Sequence, residues 1–351
     1  MAAPSESPRP QPAPAGEWPG VSIVMPVLNE ENHLRTAVAH VLAQEYPGRL
    51  ELLMAMGPST DRTNDVAAEI VRSDERVRCI DNPAGTTGAG LNLGLREALY
   101  DVIVRVDGHA MLPTDYVRVA VETLSRTGAD NVGGVMAAEG VTDFQRAVAT
   151  AMTSRLGVGQ ARFHVGGHEG PVETVYLGVF RRSALERVGG YDETFLRAQD
   201  WELNHRIRST GGTVWFTPAL HVSYRPRSTV RALGRQYRDY GRWRRVVMTR
   251  HRGTANLRYL APPLAVVAVA AGTVAGVAGF RPGFLAPLGY AAGVVGGSLV
   301  SGRGLPWRSR AWLPVVFATM HGSWGVGFLL SPRALRTMLA GGSAQEPPGR
   351  R

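Results

Sequence analysis

The sequence predicts an α/β fold, a Rossmann-like and mostly parallel sheet, followed by an all-α C-terminal module. Short β-branched runs alternate with amphipathic helical patterns through the first part of the chain. Polar and glycine-rich turns follow several of these runs on what would be one edge of the sheet. Three long runs without a charged residue then occupy the last third of the chain.

Val21-Ser22-Ile23-Val24-Met25-Pro26 reads as the first strand, and Val27-Leu28-Asn29-Glu30 leads into a helical pattern at Leu34, Val38, Val41 and Leu42. Leu50 to Met56 is the next strand, with the turn Gly57-Pro58-Ser59-Thr60-Asp61-Arg62-Thr63 and a helix carrying Val66, Ala67 and Ile70. A short strand, Val77 to Ile80, precedes a glycine-rich segment and a helix over Gly88 to Leu99. The dinucleotide fingerprint G-x-G-x-x-G and the P-loop G-K-[ST] are both missing.

Val102-Ile103-Val104-Arg105-Val106 is an apolar run that ends abruptly in Asp107-Gly108-His109. The carboxyl end of a buried parallel strand is where open α/β sheets place ligands. Two residues apart on an extended backbone, Asp107 and His109 can point the same way and offer one oxygen and one nitrogen to a divalent cation carrying a diphosphate. The plainer alternative has Asp107 capping the next helix and His109 on the surface.

Six segments, in order, resemble the inverting glycosyltransferases of family 2. They are Val24 to Glu30, Ser59 to Thr63, Ala89 to Leu95, Asp107-Gly108-His109 in place of D-x-D, Val188-Gly189-Gly190-Tyr191-Asp192-Glu193, and Gln199-Asp200-Trp201-Glu202-Leu203. The similarity covers about residues 20 to 255 and is greatest to the membrane-bound branch that contains succinoglycan-biosynthesis glucosyltransferases. It implies a GT-A nucleotide-sugar-binding domain and a hexosyl transfer. It puts Pro26, Asn29, Glu30, Asp61, Asn92 and Asp107 on the donor side, and Gly189, Gly190, Gln199, Trp201 and Glu202 on the acceptor side. Asp107 and His109 would bind the metal and Asp200 would be the catalytic base. Two positions depart from the pattern. Met56 replaces an aspartate that the resemblance assigns to the uracil ring, and a thioether is a poor acceptor for a ring N–H. Gln199 replaces a glutamate beside Asp200.

The chemistry agrees with the residue types. A departing diphosphate needs a metal and cations, with Mg²⁺ or Mn²⁺ favoured over zinc because one strong nitrogen ligand is evident. The acceptor hydroxyl needs a base, and a carboxylate heading a helix can serve. The plainer alternatives are an N-cap for Asp200, a solvated helix face for Glu202 and a helix cap for Asp61. His164 and His168 flank a glycine pair that argues against a helical zinc site. Arg181 and Arg182, at a strand end, are phosphate contacts or solvated side chains.

The chain of 351 residues carries a formal charge of +10, and all 39 basic residues are arginine. No nucleic-acid motif accompanies them, so nucleic acid is not an expected partner. Ten arginines between Arg225 and Arg252, interleaved with Leu233, Tyr237, Tyr240, Trp243, Val246 and Val247, form a basic amphipathic pattern suited to an anionic membrane surface. Tyr259 to Phe280, Pro282 to Gly302 and Ala311 to Leu330 are each about long enough to cross a bilayer core of about 30 Å, the alternative being buried helices of a soluble core. Asp239-Tyr240-Gly241-Arg242-Trp243 matches only the end of the Q-x-x-R-W of processive synthases, so single transfer is expected. Cys79 stands alone, which excludes an internal disulfide.

The expected organisation is a disordered Pro-rich arm over residues 1–20, a catalytic domain over 21–224 and a basic interfacial segment over 225–257. Transmembrane helices follow over 258–332 (about 259–280, 282–302 and 311–330), then a disordered tail over 333–351. The expected protein is a multi-pass cell-membrane transferase with a cytoplasmic catalytic domain. It would use a nucleotide-sugar donor and a lipid-linked or growing glycan acceptor in exopolysaccharide or cell-envelope synthesis. A polyprenyl-phosphate sugar synthase and a non-catalytic membrane subunit of a polysaccharide assembly complex are the alternatives, and no particular oligomeric state is implied.

Overall fold

The computed structural model describes residues 18–159 and 161–332. The arm expected over residues 1–20, save its last three, and the tail expected over 333–351 lie outside the described residues. In chain order the elements begin β1 (Val21–Val27), α1 (Leu34–Leu42), β2 (Leu50–Met56), α2 (Thr63–Ser73), β3 (Val77–Asp81), α3 (Thr87–Glu97), β4 (Val102–Arg105), α4 (Tyr116–Thr127) and β5 (Asn131–Ala138). They continue α5 (Asp143–Met152), α6 (Arg155–Val158), α7 (Arg162–Val165), β6 (Gly170–Pro171), β7 (Tyr176–Arg181), α8 (Arg182–Arg187), α9 (Gln199–Ser209) and β8 (Val214–Tyr224). The last helices are α10 (Val230–Arg250), α11 (Leu257–Val277), α12 (Leu285–Ser301) and α13 (Trp307–Leu329), with a 3-10 turn over Arg281–Phe284.

Two compact units result. The described residues up to Ala137 form one with Gly166–Tyr224, and Ala138–Val165 joins the residues from Arg225 onward in the other. The division differs from the domain expected over 21–224 in the segment Ala138–Val165, whose helix α5 packs on α13.

The first unit holds one eight-stranded sheet in the order β3-β2-β1-β4-β7-β5-β8-β6. β3, β2, β1 and β4 are parallel, as the alternating helices require. β7 adds to β4 antiparallel, and β5 to β7 and β6 to β8 likewise. The parallel half is buried on both faces. Val21, Ile23 and Met25 enter one cluster with α1 and α2, while Val24, Leu53 and Ile103 enter another. Strand side chains alternate faces, so two clusters demand the near-continuous apolar runs seen in the sequence.

Arg181 and Arg182 are neither phosphate ligands nor solvated. Arg181 donates to the carbonyls of Ala129 (3.0 Å) and Leu124 (2.8 Å), closing the end of α4. Arg182, 5% exposed, donates to the carbonyls of Leu95 (2.9 Å) in the last turn of α3 and of Ala98 (2.5 Å) and Tyr100 (2.9 Å) beyond it. Arg182→Ala strands those acceptors and is expected to cost about 3 kcal/mol, read as a lower midpoint of denaturant unfolding of the full chain in detergent. A midpoint equal to that of the parent protein would contradict this.

In the second unit, the apolar stripe of α10 is buried at Leu233, Tyr237, Trp243, Val246 and Val247 against α13. A Cβ at Gly241 would lie 2.1 Å from the Trp324 carbonyl oxygen, and one at Gly327 would lie 2.0 Å from that of Arg238. The two backbones can approach this closely only at glycine. The stripe expected to rest on a membrane surface is therefore covered by protein, while Arg231, Arg235 and Arg238 stay exposed. Two helical segments, Leu257–Val277 and Arg281–Ser301, are long and apolar enough to cross a membrane, and 11% of each apolar window is buried. The third expected run is α13, which buries Leu313, Val316, Phe317 and Met320 and packs on both α10 and α5.

Candidate active site

The carboxyl ends of the parallel strands bring three loops together. Asn29, in the left-handed region at φ 56°, accepts through Oδ1 from the Thr60 amide (2.8 Å), and its own amide donates to Ser59 Oγ (3.0 Å). The Glu30 amide donates to Thr63 Oγ1 (2.8 Å). Pro26 lies half-buried near the end of β1. Asp61 holds the same junction. Its Oδ1 accepts from the Thr63 amide (3.0 Å) and its Oδ2 from the Glu31 amide (3.3 Å). The Thr63 hydroxyl holds the Asp61 carboxyl below its ordinary value. Asp61 thus serves as the loop clasp that a capping aspartate suggests.

Asp107, Gly108 and His109 follow β4 against Glu30. His109 Nδ1 lies 2.8 Å from Glu30 Oε1, and a histidine whose Nδ1–H is held by a carboxylate presents Nε2 as its acceptor. Asp107 Oδ1 accepts from Arg105 Nε (3.2 Å) and Nη2 (3.1 Å), leaving Oδ2 with no partner among the described residues.

Arg105 joins the two halves of the site. Its Nη1 donates to Asp200 Oδ1 from the other side, so one guanidinium, with its side chain 9% exposed, spans Asp107 after β4 and the carboxylate at the head of α9. Burial opposes the Arg105 charge, but Asp107 and Asp200 outweigh it and hold the group well above its ordinary value. Burial raises the Asp200 carboxyl, Arg105 draws it back, and the net effect is upward. Tyr191 and Tyr176 complete the polar cluster, their phenols pushed up mainly by burial.

On the acceptor side, Gly189 (φ 74°) and Gly190 (φ 72°) turn the chain into Tyr191. Asn92, expected on the donor side, holds this loop. Its Oδ1 accepts from the Tyr191 amide (2.8 Å), and its Nδ2 donates to the Tyr191 carbonyl (2.8 Å) and Glu193 Oε1 (2.8 Å). Ala198 adopts φ 61° immediately before Gln199, a strained start that a non-glycine residue keeps only when its surroundings dictate it. Gln199 is 9% exposed, and Trp201 stacks on His205 with centroids 5.3 Å apart. Glu202, 2% exposed, takes a two-pronged ion pair from Arg206 Nε (2.8 Å) and Nη2 (2.7 Å), so its solvated reading does not hold.

Sequence reasoning passed over Arg105, Tyr176, Tyr191 and Ala198. Arg105 had a legible signal, a lone charge inside the apolar run of β4. His164 and His168 fall in different units, and among the described residues no group of three or more His, Cys, Asp or Glu side chains is placed to hold a metal. A pair such as Asp107 and His109 would leave a hard cation to complete its shell with phosphate and water.

A family model described as Glycosyl transferase family 2 matches residues 22–189. The chain is 33% identical over 311 residues to succinoglycan biosynthesis protein ExoA of Rhizobium meliloti (strain 1021), covering 87% of this chain and 93% of that protein. It is 25% identical over 252 residues to a dolichyl N-acetyl-alpha-D-glucosaminyl phosphate 3-beta-D-2,3-diacetamido-2,3-dideoxy-beta-D-glucuronosyltransferase of Methanococcus voltae, covering 69% of this chain and 77% of that one. Among solved structures, the mannosyltransferase PcManGT from Pyrobaculum calidifontis, in complex with GDP-Man and Mn²⁺, matches with a TM-score of 0.62 at 20% identity. That match covers 93% of this chain and 91% of the other, and it shows the GT-A fold. With the succinoglycan relative spanning nearly the whole sequence, the chain belongs to glycosyl transferase family 2.

Proposed function

We propose that this protein is a membrane-anchored, inverting glycosyltransferase. It moves a sugar from a nucleotide-sugar donor to a lipid-linked or growing glycan acceptor, in exopolysaccharide or cell-envelope glycan synthesis. The observation that carries this reading is the Arg105 bridge, which places Asp107 and Asp200 on one guanidinium. A displacement with inversion needs a base facing the acceptor and a separate group facing the leaving diphosphate. Asp200 is the base that takes the acceptor hydroxyl proton. Asp107 Oδ2 and His109 would hold Mg²⁺ or Mn²⁺, which when bound supplies positive charge to the departing diphosphate. Glu30 fixes the His109 ring, and Pro26, Asn29 and Asp61 shape the donor side. Asn92 acts through the loop it holds, so that Gly189, Gly190, Gln199, Trp201 and Glu202 frame the acceptor.

Relatives support the partners. PcManGT is described with a nucleotide-sugar and Mn²⁺, the Methanococcus voltae protein is named for a dolichyl-linked substrate, and ExoA is named for succinoglycan. Chelation is expected to abolish turnover and added Mn²⁺ or Mg²⁺ to restore it. Asp107→Ala should stay inactive in excess metal, and His109→Asp should retain activity with an altered metal preference. Full activity in excess chelator removes the metal site. The product anomer, read by NMR, is expected to be inverted relative to the donor, and retention refutes the mechanism.

Anchoring is assigned to a hairpin of α11 and α12. A Cβ at Gly272 of α11 would lie 2.9 Å from Ala286 Cβ of α12, the close approach that small residues permit between membrane helices. Arg250, Arg252 and Arg258 precede the apolar stretch of this hairpin and Arg303, Arg308 and Arg310 follow it, with Arg281 the lone charge at the turn. Two crossings put both arginine-rich flanks, and α13, on the inner side. The full chain is expected to stay with membranes in high salt and to need detergent, because salt screens surface charge but does not release a spanning helix. Release by salt alone refutes the hairpin.

A further inference from the structure

A cleft of about 860 Å³ lies at the carboxyl ends of β2 and β3, within the ~300–1,000 Å³ typical of small-molecule sites. Ala67, Ala68 and Val71 of α2 form one wall, and Met56 faces them. The cleft adjoins the Gly57-Pro58 turn that leads into the Asn29, Glu30 and Asp61 junction of the donor side. Its walls are mostly apolar, with Asn64 and Arg72 of α2 as further polar lining residues and Asp81 as the carboxylate among them. Asp81 is exposed and has no hydrogen bond or ion pair to any described residue.

The register of the sheet sets Asp81 beside Met56. β2 and β3 are parallel and pair Met56 with Asp81, so the two side chains stand on the same face, one strand apart at about 4.8 Å. At the end of β2 the group is apolar, and an acceptor appears one strand further out.

We propose that this cleft binds the nucleobase of the donor and that Asp81 selects guanine. The inference rests on the nucleotide-sugar reading above. A carboxylate only accepts hydrogen bonds, so it favours an edge with two adjacent N–H donors. Guanine offers N1–H and N2–H side by side. Uracil offers one N–H between two carbonyl oxygens, and adenine an amino group beside a ring lone pair. The outward step from Met56 to Asp81 also suits a two-ring base, whose donor edge lies one ring further from the ribose than that of a pyrimidine. The Met56 thioether then packs on the ring face, where a soft apolar group is favourable.

The test is calorimetric titration of the full chain in detergent, with Mn²⁺ present, using GDP, IDP, UDP and ADP. IDP is GDP without the N2 amino group. GDP is expected to bind at least about tenfold more tightly than the other three, the scale of one two-pronged contact. Asp81→Asn should lose about tenfold for GDP, leave UDP unchanged and make GDP and IDP equivalent, and the exposed position tolerates this change. Met56→Asp should weaken GDP relative to UDP. Equal affinity for GDP and IDP in the parent protein, or preference for UDP or ADP, overturns the guanine assignment and leaves the transferase reading standing. Failure of all four nucleotides to bind overturns both.

Discussion

Asp200→Asn is expected to lower turnover by about 10²–10⁴ while leaving donor affinity near that of the parent protein, the range for removing a general base. The carboxamide has the same shape and its oxygen still accepts from Arg105, so the head of α9 keeps its position. It cannot take a proton. Burial makes the Asp200 carboxylate more basic than an exposed one, and Arg105 limits that rise. Saturating-donor rates together with donor titration separate the two effects. Turnover within threefold of the parent would remove Asp200 from the base role.

Arg105→Met is expected to cost on the order of 10²–10³ in turnover, comparable to removing a preorganised donor from an active site. The substitution keeps the apolar stem in β4 but leaves Asp107 and Asp200 without their shared cation. Both carboxylates retain partial exposure, 23% and 27% of their side chains, so water offsets part of the penalty and the fold survives. A pH profile distinguishes this from a loss of structure. Arg105 draws the Asp200 carboxyl down, so its removal lets that group rise, and the base is protonated at a higher pH. The acid limb of kcat should therefore move towards neutrality. Arg105→Lys keeps the charge but not the fork, and should recover only part of the rate. An unmoved acid limb in Arg105→Met would show that the bridge does not tune the base.

The parallel half of the sheet was legible because its signal is local. Val21–Val27 and Val102–Arg105 are apolar on both faces, and each is followed by a turn rich in polar residues. Asp107, His109 and Asp200 stand out as candidates for the same reason, being polar groups placed where an apolar pattern stops. Arg105 shows in the sequence only as a lone charge inside a strand, and that charge has no assignable role until its partners are known. Asp200 is 95 residues away in sequence. The hold of Asn92 on the Gly189-Gly190 loop was hidden for a similar reason, since its amide is matched to the backbone of Tyr191, 99 residues on.

The sequence by itself determined the parallel strands with their alternating helices, and that α11 and α12 are long and apolar enough to cross a membrane. These follow from periodicity and composition, which neighbouring residues set without reference to the rest of the chain. Tertiary structure alone decided what each apolar or charged face meets. The stripe of α10 and the third apolar run both look ready for lipid, yet in the second unit they cover one another, because Gly241 and Gly327 let their backbones close. Asp81 and Met56 became neighbours only through strand register. A hydrophobic or ionic group states what kind of partner it needs, and only the folded chain supplies which one.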